Sequence, residues 1–130
     1  MKFLLDSNAV IAILKGNSTF HARLTQHRPI NFAIPSIVMH ELYCGAYKSE
    51  RRKENLARLA QIQFPVLEFD HEDAIAAGEI RAALTSRGQP IGAYDVLIAG
   101  QACCRKLTLI SRNVREFSRI EELSLENWED

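Results

Sequence analysis

Three carboxylates stand where charge is out of place along this chain. Asp6 directly follows the apolar run Phe3-Leu4-Leu5, Glu41 falls among Ile37, Val38 and Leu42 at helical spacing, and Asp95 heads the apolar stretch Val96-Leu97-Ile98-Ala99. Asn113 lies just past a second compact apolar run, Leu107 to Ile110. If three carboxylates converge at about 5 Å, each pair repels by roughly 3 kcal/mol at an effective dielectric of about 20, so about 10 kcal/mol for the trio. A small domain has a total stability of that order, so the trio is tolerated only when protons or a divalent cation neutralise it. All-oxygen ligation suits Mg2+ or Mn2+ rather than Zn2+, and such an ion can generate hydroxide from water and offset charge on a phosphodiester. Each acid also has a plainer reading. Asp95 suits the start of a helix, Asp6-Ser7-Asn8 suits a turn, and Glu41 suits the solvated edge of an apolar stripe.

The elements that must position these residues alternate between short apolar runs and longer helix-period segments. Strands are expected at Phe3 to Leu5, Asn31 to Ile34, Val66 to Phe69 and Leu107 to Ile110, with a fifth near Leu123 to Leu125. Helices are expected over Ala9 to Leu14, Ser18 or Thr19 to His27, Ser36 to Tyr47, Arg51 to Gln63, His71 to Arg87, a central segment entered through Ala93-Tyr94-Asp95, and Val114 to Phe117. Pro35 suits the first turn of its helix, and Ala74, Ala77, Ile80 and Leu84 make one stripe. Strands joined by helical crossovers predict a parallel sheet covered on both faces, an α/β/α sandwich of about five strands. In such sheets ligands bind outside the carboxyl ends of the strands, which is where Asp6 and Asn113 fall.

With 130 residues, 47% hydrophobic, 25% charged and only 6 Gly and 4 Pro, the chain reads as one globular domain spanning residues 1–130. Sixteen basic and sixteen acidic side chains cancel, so no strongly one-signed field draws a partner. The opening Met1-Lys2-Phe3-Leu4-Leu5-Asp6 is too short an apolar stretch for a signal peptide or a membrane span, which points to the cytosol and to no membrane. Cys44, Cys103 and Cys104 form no C-x-x-C pair and are expected to be reduced and mostly buried. His21, His27, His40 and His71 lack metal-site companions, and no phosphate-binding glycine loop, dinucleotide fingerprint or serine-nucleophile elbow occurs. Basic residues gather locally at Lys48, Arg51, Arg52 and Lys53, at Arg105-Lys106, and at Arg112 and Arg115. The last pair flanks Asn113, where phosphates would have to lie.

Four segments, Leu4-Leu5-Asp6-Ser7-Asn8, His40-Glu41-Leu42-Tyr43-Cys44-Gly45-Ala46, Ile91 to Ala99, and Ser111-Arg112-Asn113-Val114-Arg115-Glu116-Phe117, resemble in order and spacing the PIN-domain ribonuclease toxins called VapC. The likeness runs on to Glu126-Asn127-Trp128, essentially the whole chain. It implies a Mg2+- or Mn2+-dependent endoribonuclease, the toxin of a toxin–antitoxin pair, with Asp6 and Asp95 as the expected direct metal ligands and Glu41 completing the catalytic triad directly or through water. Ser7 and Asn8 match the small polar residues after the first acid, and Ser111 matches the hydroxyl that orients it. Asn113 stands where many PIN domains carry a fourth acid. Its amide brings no charge, so the resemblance supports one firmly held metal, with Glu116 one turn on able to supply a carboxylate through water. The implied partners are a VapB-like antitoxin whose tail presents a basic side chain to the acids, a structured RNA (tRNA, with initiator tRNA the leading candidate), a second copy in a homodimer, and operator DNA through the antitoxin alone. A receiver domain would need an acidic pair after the first strand, and a dehalogenase-like phosphatase would need an acid where Asn8 stands. The remaining alternative is a PIN-like module that binds RNA or antitoxin without cutting.

Overall fold

The computed structural model describes all 130 residues. In chain order it contains β1 (Phe3–Leu5), α1 (Ser7–Leu14), α2 (Ser18–Leu24), β2 (Phe32–Pro35), α3 (Ser36–Lys48), α4 (Arg52–Ala60), β3 (Val66–Leu67), α5 (His71–Ser86), α6 (Ala93–Arg105), β4 (Thr108–Ile110), α7 (Val114–Phe117) and β5 (Leu125–Glu126). All strand pairs are parallel and the order is β3-β2-β1-β4-β5. Every residue of β1 and β2 is buried, and because successive side chains point to opposite faces, both faces of the sheet are covered by helices. This is the α/β/α arrangement expected from the alternation of runs. The chain moves outward from β1 to β2 and β3, then returns to the other side of β1 at β4, so the strand order reverses between β1 and β4. Asp6 and Ser111 leave the sheet side by side at that reversal.

Several boundaries differ from the sequence reading for local reasons. Helix α1 begins two residues early, at Ser7, because Asp6 serves as its N-cap. Pro35 ends β2 and stands in the N-cap position of α3, one residue before the turn expected for it. Helix α4 stops at Ala60 rather than Gln63, and β3 and β5 are two-residue edges, β5 set at Leu125–Glu126 by its pairing with Leu109 and Ile110. The cysteines are not mostly buried: Cys44, on the open side of α3, is exposed, and at the end of α6, past its last buried residue Ala102, Cys103 is half-buried and Cys104 exposed. No helix is long and apolar enough to cross a membrane.

Helices α5 and α6 clasp one another closely. A Cβ placed on Gly100 would lie 2.5 Å from Cα of Ala77, so only glycine permits this crossing. The buried stripe of α5 runs through Asp73, Ala77, Ile80 and Leu84, with Asp73 in the place expected for Ala74. Asp73 is fully buried and closes a capping box with Asp70. Arg105 donates to both of its oxygens at 3.2 and 3.0 Å, and Gln101 donates at 3.1 Å. Burial pushes the Asp73 carboxyl up, but these donors outweigh it and hold it below its ordinary value. Arg105, which the sequence groups with surface cations, is therefore an internal tie. At the other end of the sheet Trp128 packs on Phe3, Phe20, His27 and Phe32, and its indole N–H donates to Glu126.

Two glycines test this packing in opposite directions. Gly100→Val is expected to cost more than about 2 kcal/mol or to prevent folding, since the obstructing atoms are backbone. Gly78→Ala, in the same helix pair but with open space around it, is expected to stabilise by up to about 1 kcal/mol. Urea denaturation of the two variants reads both.

Candidate active site

Asp6 is fixed before any ligand arrives. Its N–H donates to the Ile110 carbonyl at 3.1 Å, joining the ends of β1 and β4. One carboxylate oxygen accepts from the Ser7 N–H at 2.8 Å. The other accepts from the Ser111 hydroxyl at 2.7 Å and from the Asn8 amide at 3.3 Å. Asn8 also accepts from the Arg112 N–H at 3.0 Å, and Ser111 accepts from the Asn113 N–H at 3.0 Å. The segments after β1 and β4 are thus sewn into one polar frame around a carboxylate that is only 3% exposed. Burial raises the Asp6 carboxyl above its ordinary value, although the bonds from Ser111, Ser7 and Asn8 pull against it.

Asp95 sits in the first turn of α6, yet that helix has no side-chain cap and its N-cap is Gly92. The capping explanation therefore fails for this residue. A Cβ on Gly92 would stand 3.3 Å from Oδ2 of Asp95, so the glycine leaves room for the carboxylate. Burial, the charges of Asp6, Glu116 and Glu41, and a hydrogen bond with the Glu116 carboxyl together push Asp95 up to about 6. Asn113 lies between the two acids, its amide donating to Glu116 at 2.8 Å and to Asp95 at 3.3 Å. The amide nitrogen faces the carboxylates, so Asn113 acts as a donor that eases their repulsion rather than as a charged ligand.

Glu41 reaches the same edge from α3. Burial and the Asp6 charge raise its carboxyl, against a smaller opposite effect of His40. Its Oε1 is buried with no hydrogen-bond partner, which costs free energy unless something binds there. None of Asp6, Glu41, Asp95 and Glu116 has a basic side chain within 4 Å. As they stand, the acids do not close into a finished metal cage. The orphaned Glu41 oxygen and the all-oxygen donor set fit a hard divalent cation.

The sequence-selected residues are thus gathered at one edge: Asp6, Glu41, Asp95, Asn113 and Glu116, with Asn8 and Ser111 as supports and Ser7 contributing its N–H. Arg112 is exposed, with one guanidinium nitrogen 3.9 Å from Glu129, and Arg115 is exposed with no acidic partner. Sequence reasoning missed the rim. Tyr94 and His40 stand together there, with the Tyr94 hydroxyl 3.4 Å from Nε2 of His40. The available signal was adjacency, since each directly precedes one of the acids.

Known proteins resemble this chain over nearly its whole length. The PIN domain family matches residues 3–123. The tRNA(fMet)-specific endonuclease VapC of Salmonella typhimurium is 37% identical over 130 residues, covering 98% of both chains, and the protein of that name in Shigella flexneri is 35% identical with the same coverage. Among solved structures, VapBC2 of Rickettsia felis bound to a promoter DNA fragment superposes with a TM-score of 0.90 at 32% identity, covering 98% of this chain and 99% of that one. DNA-bound VapBC of Salmonella typhimurium gives 0.89 at 37% identity, covering 98% of each chain. Ribonucleases of the PIN family generally depend on a divalent metal. The whole length of this chain, with its acids at the strand reversal, belongs to the PIN-domain family and within it to the VapC group.

Proposed function

We propose that this chain is a Mg2+-dependent endoribonuclease, with Mn2+ able to substitute, acting in the cytoplasm as the toxin of a toxin–antitoxin pair. Its substrate is a structured RNA, tRNA as the first class to test and initiator tRNA within it, and cutting it stops translation. The observation that carries the reading is the buried, unpartnered Oε1 of Glu41 among carboxylates that have no basic partner. Asp6 and Asp95 would hold the cation directly, and Glu41 would complete the triad. When bound, the cation supplies charge neutralisation at the phosphodiester and an acidified water. The chain's own part is positioning. Ser111, Asn8 and the Ser7 N–H aim Asp6, Asn113 holds Asp95 and Glu116 in place, and Arg112 and Arg115 meet the flanking phosphates. With an amide at position 113, one cation suffices for the site.

The partner is a VapB-like antitoxin, as the names of the related VapBC complexes suggest, and operator DNA is met through that antitoxin by a toxin homodimer. The chain has a seat for such a tail. A hollow of about 260 Å3 runs from Glu41 along Ile11, Leu14, Leu42 and Leu59, with Lys15, Asn55 and Arg58 also in its lining. An apolar tail segment lying there brings a basic side chain within reach of the unpaired acids.

Two measurements follow. The purified chain, freed of antitoxin, is expected to cut total tRNA into discrete fragments with Mg2+ or Mn2+ and not in EDTA, with Asp6→Ala, Asp95→Ala and Glu41→Gln each lowering the rate at least about a hundredfold. Binding of RNA without any metal-dependent cutting would leave the binding module as the reading. The second is a stability measurement. Between 3.8 and about 6 the folded chain keeps a proton on Asp95 that the unfolded chain has given up. That contribution is therefore complete at low pH and lost as pH rises through about 6. In EDTA at neutral pH, Asp95→Asn is expected to be more stable than the parent by about 1 kcal/mol, discounted for partial exposure, with the gap closing towards pH 4. Thermal melts across that range check it, and added Mg2+ is expected to stabilise only the parent.

A further inference from the structure

Glu41 borders a second hollow of quite different chemistry. About 490 Å3 in volume, it is walled by His40, Glu41, Cys44, Lys48, Ser49 and Tyr94 and has no aliphatic side chain in its lining. Tyr94 is 49% exposed, and its ring meets that of His40 edge-on, with centroids 5.6 Å apart at 71°. Tyr94 directly precedes Asp95 and His40 directly precedes Glu41, so both walls of the hollow lead into the acidic edge. Lys48, two turns beyond His40 on α3, has no acidic partner within 4 Å. Past it the first turn of α4 carries Arg52, which donates to the Tyr47 carbonyl, and Lys53. In a chain of zero net charge, cations without acidic partners collected on one side of the acids mark the path of a polyanion. An exposed aromatic face beside an ammonium is the combination that receives an unstacked nucleotide, base on ring and phosphate on cation. An apolar peptide finds no matching surface here, unlike in the hollow on the other side of Glu41, where Ile11, Leu14, Leu42 and Leu59 share the lining with Lys15 and Arg58.

We propose that this hollow is the nucleotide subsite flanking the scissile phosphate, in which the neighbouring base stacks on Tyr94 and Lys48 neutralises the adjoining phosphate. His40 braces the Tyr94 ring and is a positioning residue. The inference rests on the reading of the chain as a ribonuclease and adds to it which residues hold the RNA beside the cut.

The test is RNA binding in EDTA at low salt, followed by fluorescence anisotropy, so that neither cation nor turnover enters. The probe is a synthetic hairpin carrying the anticodon loop of initiator tRNA, together with a set of the same hairpin made abasic at one loop position at a time. Tyr94→Ala is expected to weaken binding about tenfold, and Tyr94→Phe to stay within about twofold of the parent. Lys48→Gln is expected to lower the salt dependence by about one counterion. One abasic position is expected to cost the parent about tenfold while leaving Tyr94→Ala unaffected, which a merely structural role for the ring would not produce. No loss in Tyr94→Ala, or the same loss on every hairpin, overturns the subsite and leaves the ribonuclease reading standing. Unchanged RNA binding with a weakened hold on the antitoxin would give the hollow to the protein partner and also overturn it. A parent chain that neither binds the hairpin nor cuts tRNA with Mg2+ would overturn both.

Discussion

The carboxylates of Asp6, Glu41, Asp95 and Glu116 repel one another, and the rest of the fold is built so that they cannot separate. Asp6 is tied through its own N–H to the end of β4 and through its side chain to Ser7, Asn8 and Ser111. Asp95 is carried by α6, which is locked onto α5 by the Gly100–Ala77 approach and by the Asp73–Arg105–Gln101 network. Glu41 rides in mid α3, directly beyond β2. Repulsion that a looser scaffold would relieve by movement is here relieved by shifted proton affinity. Asp6, Glu41 and Asp95 all hold protons more tightly than ordinary carboxylates.

That stored preference for positive charge accounts for more than one kind of ligand. A divalent cation, a basic side chain from an antitoxin tail, or simply protons at lower pH can each satisfy the same acids. The two hollows meeting at Glu41 differ in chemistry: one has aliphatic side chains in its lining, which suit an apolar tail segment, and the other has an aromatic ring and a lysine but no aliphatic side chain, which suits a nucleotide. Occupation of the acidic edge by a tail would remove the cation and the RNA together.

Much of this was legible in the chain itself. Compact apolar runs separated by helical stretches yield the parallel sheet, and the strand-end rule picks Asp6 and Asn113 without knowledge of the fold's name. Glu41 was ambiguous because its helical stripe alone does not distinguish a solvated edge from a half-buried site. What decides it is packing from α1 and α6, which no local pattern contains. Asp73 escaped for a similar reason: a charged residue was set aside from an apolar stripe whose geometry it completes, and its partner Arg105 lies thirty-two positions away. Cys103 and Cys104 were assigned to the core from their apolar helix, but the buried residues of α6 end at Ala102. Tyr94 and His40 read as ordinary neighbours of the acids until the fold set them face to edge on one rim.

The most direct measurement is calorimetric titration of the antitoxin-free chain with Mn2+ in two buffers of different ionisation enthalpy, at about pH 6 and about pH 8. The account requires one ion per chain, with protons released on binding at the lower pH and few at the higher, because the ion displaces the proton that crowding places on Asp95. No binding, or binding that persists unchanged in Asp95→Asn, would contradict the claim that these carboxylates are held together for a cation.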